Sequence, residues 1–171
     1  MKPSLLILTA VAILVAAVSA SSRLSAAPMS SSSVQKQRQV FVYGHIRSLT
    51  RKNRHFEMRF DPAWWLTGFT ARRAKLEDTG SSDVPNDYYI VDETHRLLTY
   101  LVPAGAHVTV LTRTGSGPIP TTAISVSELA QIVKGKNPKH RRLLERKAGF
   151  WIRIGNQYPN PVLSLDQQYQ P

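Results

Sequence analysis

The chain has 171 residues, enough for a single domain, with 22 Lys and Arg against 11 Asp and Glu, a formal charge of +11, and no Cys. The missing Cys excludes a lipobox, a disulfide framework and a thiolate metal site, so packing and hydrogen bonding must hold the fold. The positive surplus should attract anions.

The N-terminus reads as a targeting segment. Lys2 supplies a basic start, and the apolar run Leu5 to Ala20 ends in small residues, with Val18 and Ala20 suited to a signal-peptidase site. A membrane-spanning helix needs about 20 apolar residues, and this run is shorter. Residues 1–20 are therefore predicted to be a cleaved signal peptide, the alternative being an uncleaved membrane anchor. Residues 21–39 are rich in Ser and small residues and lack an apolar period, which predicts a flexible tether. The folded domain is predicted to span residues 40–171.

Along that domain "QVFVYGHIRSL" alternates, with Val40, Val42, Gly44 and Ile46 on one face and Phe41, Tyr43, His45 and Arg47 on the other. "TRKNR" reads as a turn, and Phe56, Met58 and Phe60 point inward from the next strand, completing a hairpin. Asp61-Pro62 is predicted to break that strand. Thr67 then caps a short helix carrying Phe69, Arg73 and Leu76 on one face. Glu77 to Asp87 read as a loop, "YYIVDE" and "HRLLTYLVP" as strands, and "HVTVLT" as a strand with Val108 and Val110 inward. Ser125 and Glu128 have the spacing of a capping box before a helix striped with Leu129, Ile132 and Val133 and stopped by Gly135. A basic loop follows to Lys147. "FWIRI" and "VLSLDQQY" close the chain as a hairpin.

Six or seven strands with two short helices predict a mainly β fold: a small antiparallel barrel or half-barrel, oligonucleotide-binding-like, with helical insertions. A split barrel or a sheet covered by its helices is the alternative.

The elements "WLTG", "EDTG", "VPNDYYIVDE" and the terminal "QQYQP" resemble those of a group of uncharacterised small secreted bacterial proteins, mainly actinobacterial, marked by PNDYY and QQYxP motifs. The resemblance spans residues 40–171. It implies one compact exported domain and brings no active-site residues with it.

Several stretches could carry chemistry. "VPNDYYIVDE" holds Asp87, Asp92 and Glu93 near His95, groups able to act as general acids and bases in a hydrolase. No nucleophile motif accompanies them, and the carboxylate spacing does not fit a calcium loop. A structural reading explains more: Pro85 fixes the entry, Asn86 or Asp87 forms an Asx-turn, and one of Tyr88 and Tyr89 turns inward with its hydroxyl on an acidic partner. The five His residues lack zinc-ligand spacing, so neither a metal nor a cofactor is predicted. Trp64-Trp65 could stack on bases or sugars, but adjacent side chains diverge, leaving at most one exposed. A contact with a partner protein of the envelope would appear as an exposed apolar patch around Trp64 or Trp151.

Charge alternates along the chain. Residues 36–75 hold ten basic residues and two acids, residues 77–93 six acids and no Lys or Arg, and residues 134–153 eight basic residues and one acid. Arg47, Arg51, Lys52 and Arg54 gather at the first hairpin, and Lys136, Lys139, Arg141 and Arg142 in the loop after the second helix. Such clusters neutralise polyanions, so these eight residues are the predicted contact surface of a non-enzymatic exported binding domain. Its expected partners are an anionic wall polymer, anionic lipid headgroups or extracellular nucleic acid. Held apart, the same charges would serve only as a solvated rim.

Overall fold

Phe56, Met58 and Phe60, two residues apart, fall on one face of a strand, and all three are buried. They belong to a core shared with Leu49, Val102, Val108, Leu129, Ile152 and Leu165. The computed structural model describes residues 39–92, 96–113, 119–145 and 148–171. In chain order these form β1 (Val40–Lys52), β2 (His55–Thr67), α1 (Gly68–Thr79), β3 (Tyr88–Val91), β4 (Leu98–Pro103), β5 (His107–Leu111), β6 (Thr121–Ile124), α2 (Val126–Val133), β7 (Phe150–Ile154) and β8 (Val162–Gln167). The predicted signal peptide, most of the tether, Glu93 and His95 lie outside the described residues. Among the described residues no helix is long and apolar enough to cross a membrane.

The fold is mainly β. One sheet runs β3-β2-β1-β7-β8-β5-β6, and β4 lies beside β3 along the same edge of β2. All neighbouring strands are antiparallel except β5 and β8, which run parallel. The two ends of the sheet are not joined, so the sheet is open; a closed barrel is not what these strands form. Strand β6, Thr121–Ile124, adds an eighth strand where the sequence suggests only a connection. Its four residues are too few to display a clear alternation.

The expected break at Asp61-Pro62 is absent, and β2 continues to Thr67. Pro62 pairs with Gly44 of β1, while on the other edge β4 stops at Phe60 and β3 starts at Trp64. Proline is tolerated in a strand where one edge asks for no N–H. The two faces of β1 follow the predicted alternation. Val42, Gly44 and Ile46 align with Ile152, Phe150 and Phe60 over the core, and Phe41, Tyr43 and His45 align with Arg153, Trp151 and Asp61 on the outer face. The outer face is covered too, however, because Tyr43 is only 2% exposed.

Both helices form where predicted, with differences at their caps. Thr67 is the N-cap of α1 without a side-chain cap bond, and its carbonyl accepts from Thr70 Oγ1 at 2.7 Å. Phe69 and Leu76 share a face as expected, but that face points to solvent and Ala71 is the residue buried. In α2, Ser125 Oγ accepts from the Glu128 N–H at 3.1 Å, the first half of the capping box. The Glu128 carboxylate completes a different contact, described below. Gly135 stops the chain's helical course with φ +80, a left-handed conformation that suits glycine.

Candidate functional site

The basic loop after α2 is built around a buried acid. Glu128 is 5% exposed, and its Oε1 accepts from Arg141 Nε while Oε2 receives Lys139 Nζ at 3.0 Å. The loop is pinned again by Asn137, whose side chain accepts from the Arg141 N–H at 2.9 Å and donates to the Arg141 carbonyl at 2.7 Å. The hydrogen bond from Arg141 holds the Glu128 carboxyl below its usual range, outweighing the opposing effect of burial. A buried carboxylate left without these cations would be costly.

This arrangement gives part of the predicted contact surface partners within the chain itself. Arg141 is an anchor for its own loop, and Lys139 is drawn to the same carboxylate. Arg47 is likewise engaged, its Nε and Nη2 donating to Oδ2 of the buried Asp61 at 2.8 and 2.6 Å. Arg51, Lys52, Arg54, Lys136 and Arg142 are exposed and form no ion pair among the described residues. The first three surround the β1–β2 turn, where Asn53 takes a positive φ. The other two follow α2, which packs on β1. The ion pairs that form are local in sequence: Arg47 with Asp61 inside the first basic block, Arg73 with Glu77 where that block meets the acidic one, and Glu128 of α2 with Lys139 and Arg141 of the loop that follows.

A second concentration of chemistry lies where β1 begins. Tyr43, Trp65, Tyr88 and Trp151 form one aromatic cluster. Trp65 stacks on Tyr88 with ring centroids 4.2 Å apart and an interplanar angle of 18°, and Tyr43 meets Trp65 edge-on at 5.0 Å and Trp151 at 5.2 Å. The C-terminal residues cover it. Gln168 N donates to the Gly149 carbonyl at 2.9 Å, Gln170 Nε2 donates to the Tyr43 hydroxyl, and Asn86 Nδ2 reaches the Pro171 carbonyl at 3.5 Å. The PNDYY and QQYQP stretches, joined by a contact between residues 85 apart in the chain, are therefore neighbours. Burial raises the Tyr43 pKa, so its hydroxyl is a neutral hydrogen-bonding group.

The stretch "VPNDYYIVDE" is a strand entry. Its turn closes through the backbone, Asp87 N donating to the Val84 carbonyl at 3.0 Å with Asp87 at φ +54, rather than through the expected Asx-turn. Tyr88 turns to Trp65, and the Tyr89 hydroxyl donates to Asp78 of α1, which raises the phenol's pKa. Asp87 and Asp92 flank β3 at opposite ends, about 16 Å apart at strand rise. They do not converge. Glu93 and His95, the other two members of that candidate constellation, lie outside the described residues. Among the described residues no group of three or more His, Asp and Glu is placed to hold a metal ion.

Beyond Tyr43 and Ala63, β1 and β2 part. The register between them ends there, β2 goes on to pair with β3, and Val40–Val42 keep only β7. A groove of about 450 Å³ opens in the split, lined by Phe41, Pro62, Trp64, Trp65 and Trp151. Phe41 is 60% and Trp64 66% exposed. One Trp of the pair is exposed and the other packed, as the divergence of adjacent side chains requires. The exposed apolar patch is real, and it centres on Trp64, Phe41 and Val40 rather than on the half-buried Trp151. Phe41 and Val40 escape notice in the sequence because an alternating strand gives no sign of where its cover ends.

Comparison with known protein families, with curated proteins and with solved structures returns no match for this chain.

Proposed function

We infer that this chain is a non-catalytic binding domain of the bacterial cell envelope, exported through a cleaved N-terminal signal peptide, whose exposed basic residues contact an anionic polymer or surface. The observation that carries this reading is the division of the eight candidate cations. Three are held by carboxylates, while Arg51, Lys52, Arg54, Lys136 and Arg142 remain exposed and without ion pairs among the described residues. An open half-barrel, curled so that β4 also packs against β8, supplies the rigid support. Glu128 holds the second basic loop in one shape, so its remaining charges face a ligand at little further cost in chain entropy.

The basic residues suit phosphate-rich polymers such as wall polymers or nucleic acid, and equally an anionic bilayer, through the same counterion release. The test is retention of the folded domain on phosphocellulose at low salt, with elution as salt rises. Passage through the matrix at low salt would overturn the reading. A hydrolase built on Asp87 and Asp92 is the weaker reading, since the two stand at opposite ends of β3.

A further inference from the structure

Helix α1 packs against β2 and β3 and buries Ala71 alone. Its opposite face carries Phe69, Arg72, Arg73 and Leu76, spaced i, i+3, i+4 and i+7, so the four stand on one side over about 10 Å of helix. All four are exposed, Phe69 by 79% and Leu76 by 51%. Trp64, 66% exposed, stands beside the same helix and shares a cavity with its Ala74 and Glu77. Large apolar side chains scattered singly over a surface need no partner, but gathered on one helix they mark a contact.

The charge left over on this face is positive. Glu77 is taken up by Arg73 at 2.9 Å, and Asp78 accepts from the Tyr89 hydroxyl of β3, on the packed side of the helix. Arg72 forms no ion pair among the described residues, and Lys75 adds a further cation at the flank.

We propose that the outer face of α1 docks on the interface of an anionic lipid bilayer, with Phe69 and Leu76 entering below the headgroups and Arg72 and Arg73 reaching the lipid phosphates. Apolar burial and attraction to anionic lipid add in such a contact, and the arginine stems lie along apolar surface while their heads stay at the phosphates. An indole at the position of Trp64 suits the headgroup level. A linear polyanion could take the two arginines but would leave Phe69 and Leu76 in water; a bilayer accommodates both. The inference rests on the proposed envelope reading for an anionic surface within reach, yet it uses none of the five free cations of the basic clusters.

The test is site-resolved fluorescence on the full chain, with vesicles of phosphatidylglycerol and phosphatidylcholine brominated in its acyl chains. Phe69→Trp places an indole on the docking face. Tyr158→Trp places one at a 95% exposed position at the other end of β2, where Pro159 shares a depression with His55. The added indole, read as the difference from the parent, should be quenched at position 69 and not at position 158. Arg72→Gln with Arg73→Gln, combined with Phe69→Trp, should raise the lipid concentration for half-quenching by about tenfold. Quenching equal at the two positions, or confined to 158, overturns the proposal, the latter by assigning the lipid contact to the β1–β2 turn. So does quenching at neither position, or quenching at 69 that the arginine pair leaves unchanged. Retention of the parent on phosphocellulose is read without lipid, so failure of the polyanion reading and failure of this one are distinguishable.

Discussion

Trp65 and Tyr88 stack face to face, 4.2 Å between ring centroids, and through this contact the loop before β3 is fixed to the outer face of the hairpin. Tyr43, Trp151 and the C-terminal residues complete that layer. Tyr88→Ala removes the stacking partner of Trp65 and opens the cover over Tyr43. It should cost about 2 kcal/mol, less than the about 3–5 kcal/mol of a fully buried aromatic because Tyr88 is half-buried. Tyr89→Phe loses only the exposed bond to Asp78 and should cost less than Tyr88→Ala. Urea denaturation of the two variants decides the order.

The two arginines at positions 141 and 142 are neighbours in sequence with different roles. Arg141→Ala strips the buried Glu128 of its closest cation and should destabilise by about 2–3 kcal/mol, short of the about 3–5 kcal/mol of a fully broken buried pair because Lys139 remains. Arg142→Ala should leave stability within about 0.5 kcal/mol and weaken retention on an anionic matrix. Equal destabilisation by the two would contradict the assignment of Arg141 as the anchor.

Glu128 also sets a dependence on acid. Its pKa is lowered in the folded state from the ordinary 4.5, first by the Arg141 hydrogen bond. The unfolded chain therefore takes up this proton at a higher pH than the folded one, and the carboxylate's contribution is present above the ordinary value and lost as pH falls through the lowered one. Stability measured from about pH 6 down to about pH 3 should fall, and Glu128→Gln should flatten that fall while lowering the plateau. A variant whose acid limb matches the parent's would show that other groups carry it.

Much of this was legible because alternation and capping are local. Phe56, Met58 and Phe60, the faces of β1, the last hairpin and α2 all follow from spacing between near neighbours. The misreadings come from partners distant in the chain. Pro62 looked like a strand breaker until β3 and β4 proved to leave its edge uncovered. The Ser125–Glu128 spacing signalled a cap, and only folding brings Arg141 to the Glu128 carboxylate. Charge density marks where cations gather along the chain, yet nothing in a run of Lys and Arg tells which one meets a buried acid. The aromatic groove was half visible in Trp64-Trp65, whereas its other wall needed the point at which β1 and β2 part.

Gly44 marks the close approach of β1 and β2. A Cβ there would overlap the Asp61 carbonyl oxygen and press on Phe60 and the Pro62 backbone. Because two of these neighbours are main chain, they cannot rotate away. Gly44→Ala should destabilise at the upper end of the about 1–3 kcal/mol typical of overpacking, read from the shift in urea midpoint.

The most direct test of the proposed contact surface is the salt dependence of affinity for a defined linear polyphosphate, measured by titration calorimetry on the full chain and on its Arg51→Gln, Lys52→Gln, Arg54→Gln variant. Five contacting cations predict a slope of log K against log salt near about −3.5, and neutralising three of them should reduce its magnitude by about 2. A steep slope that the triple substitution leaves unchanged, or no measurable binding at low salt, would contradict the account.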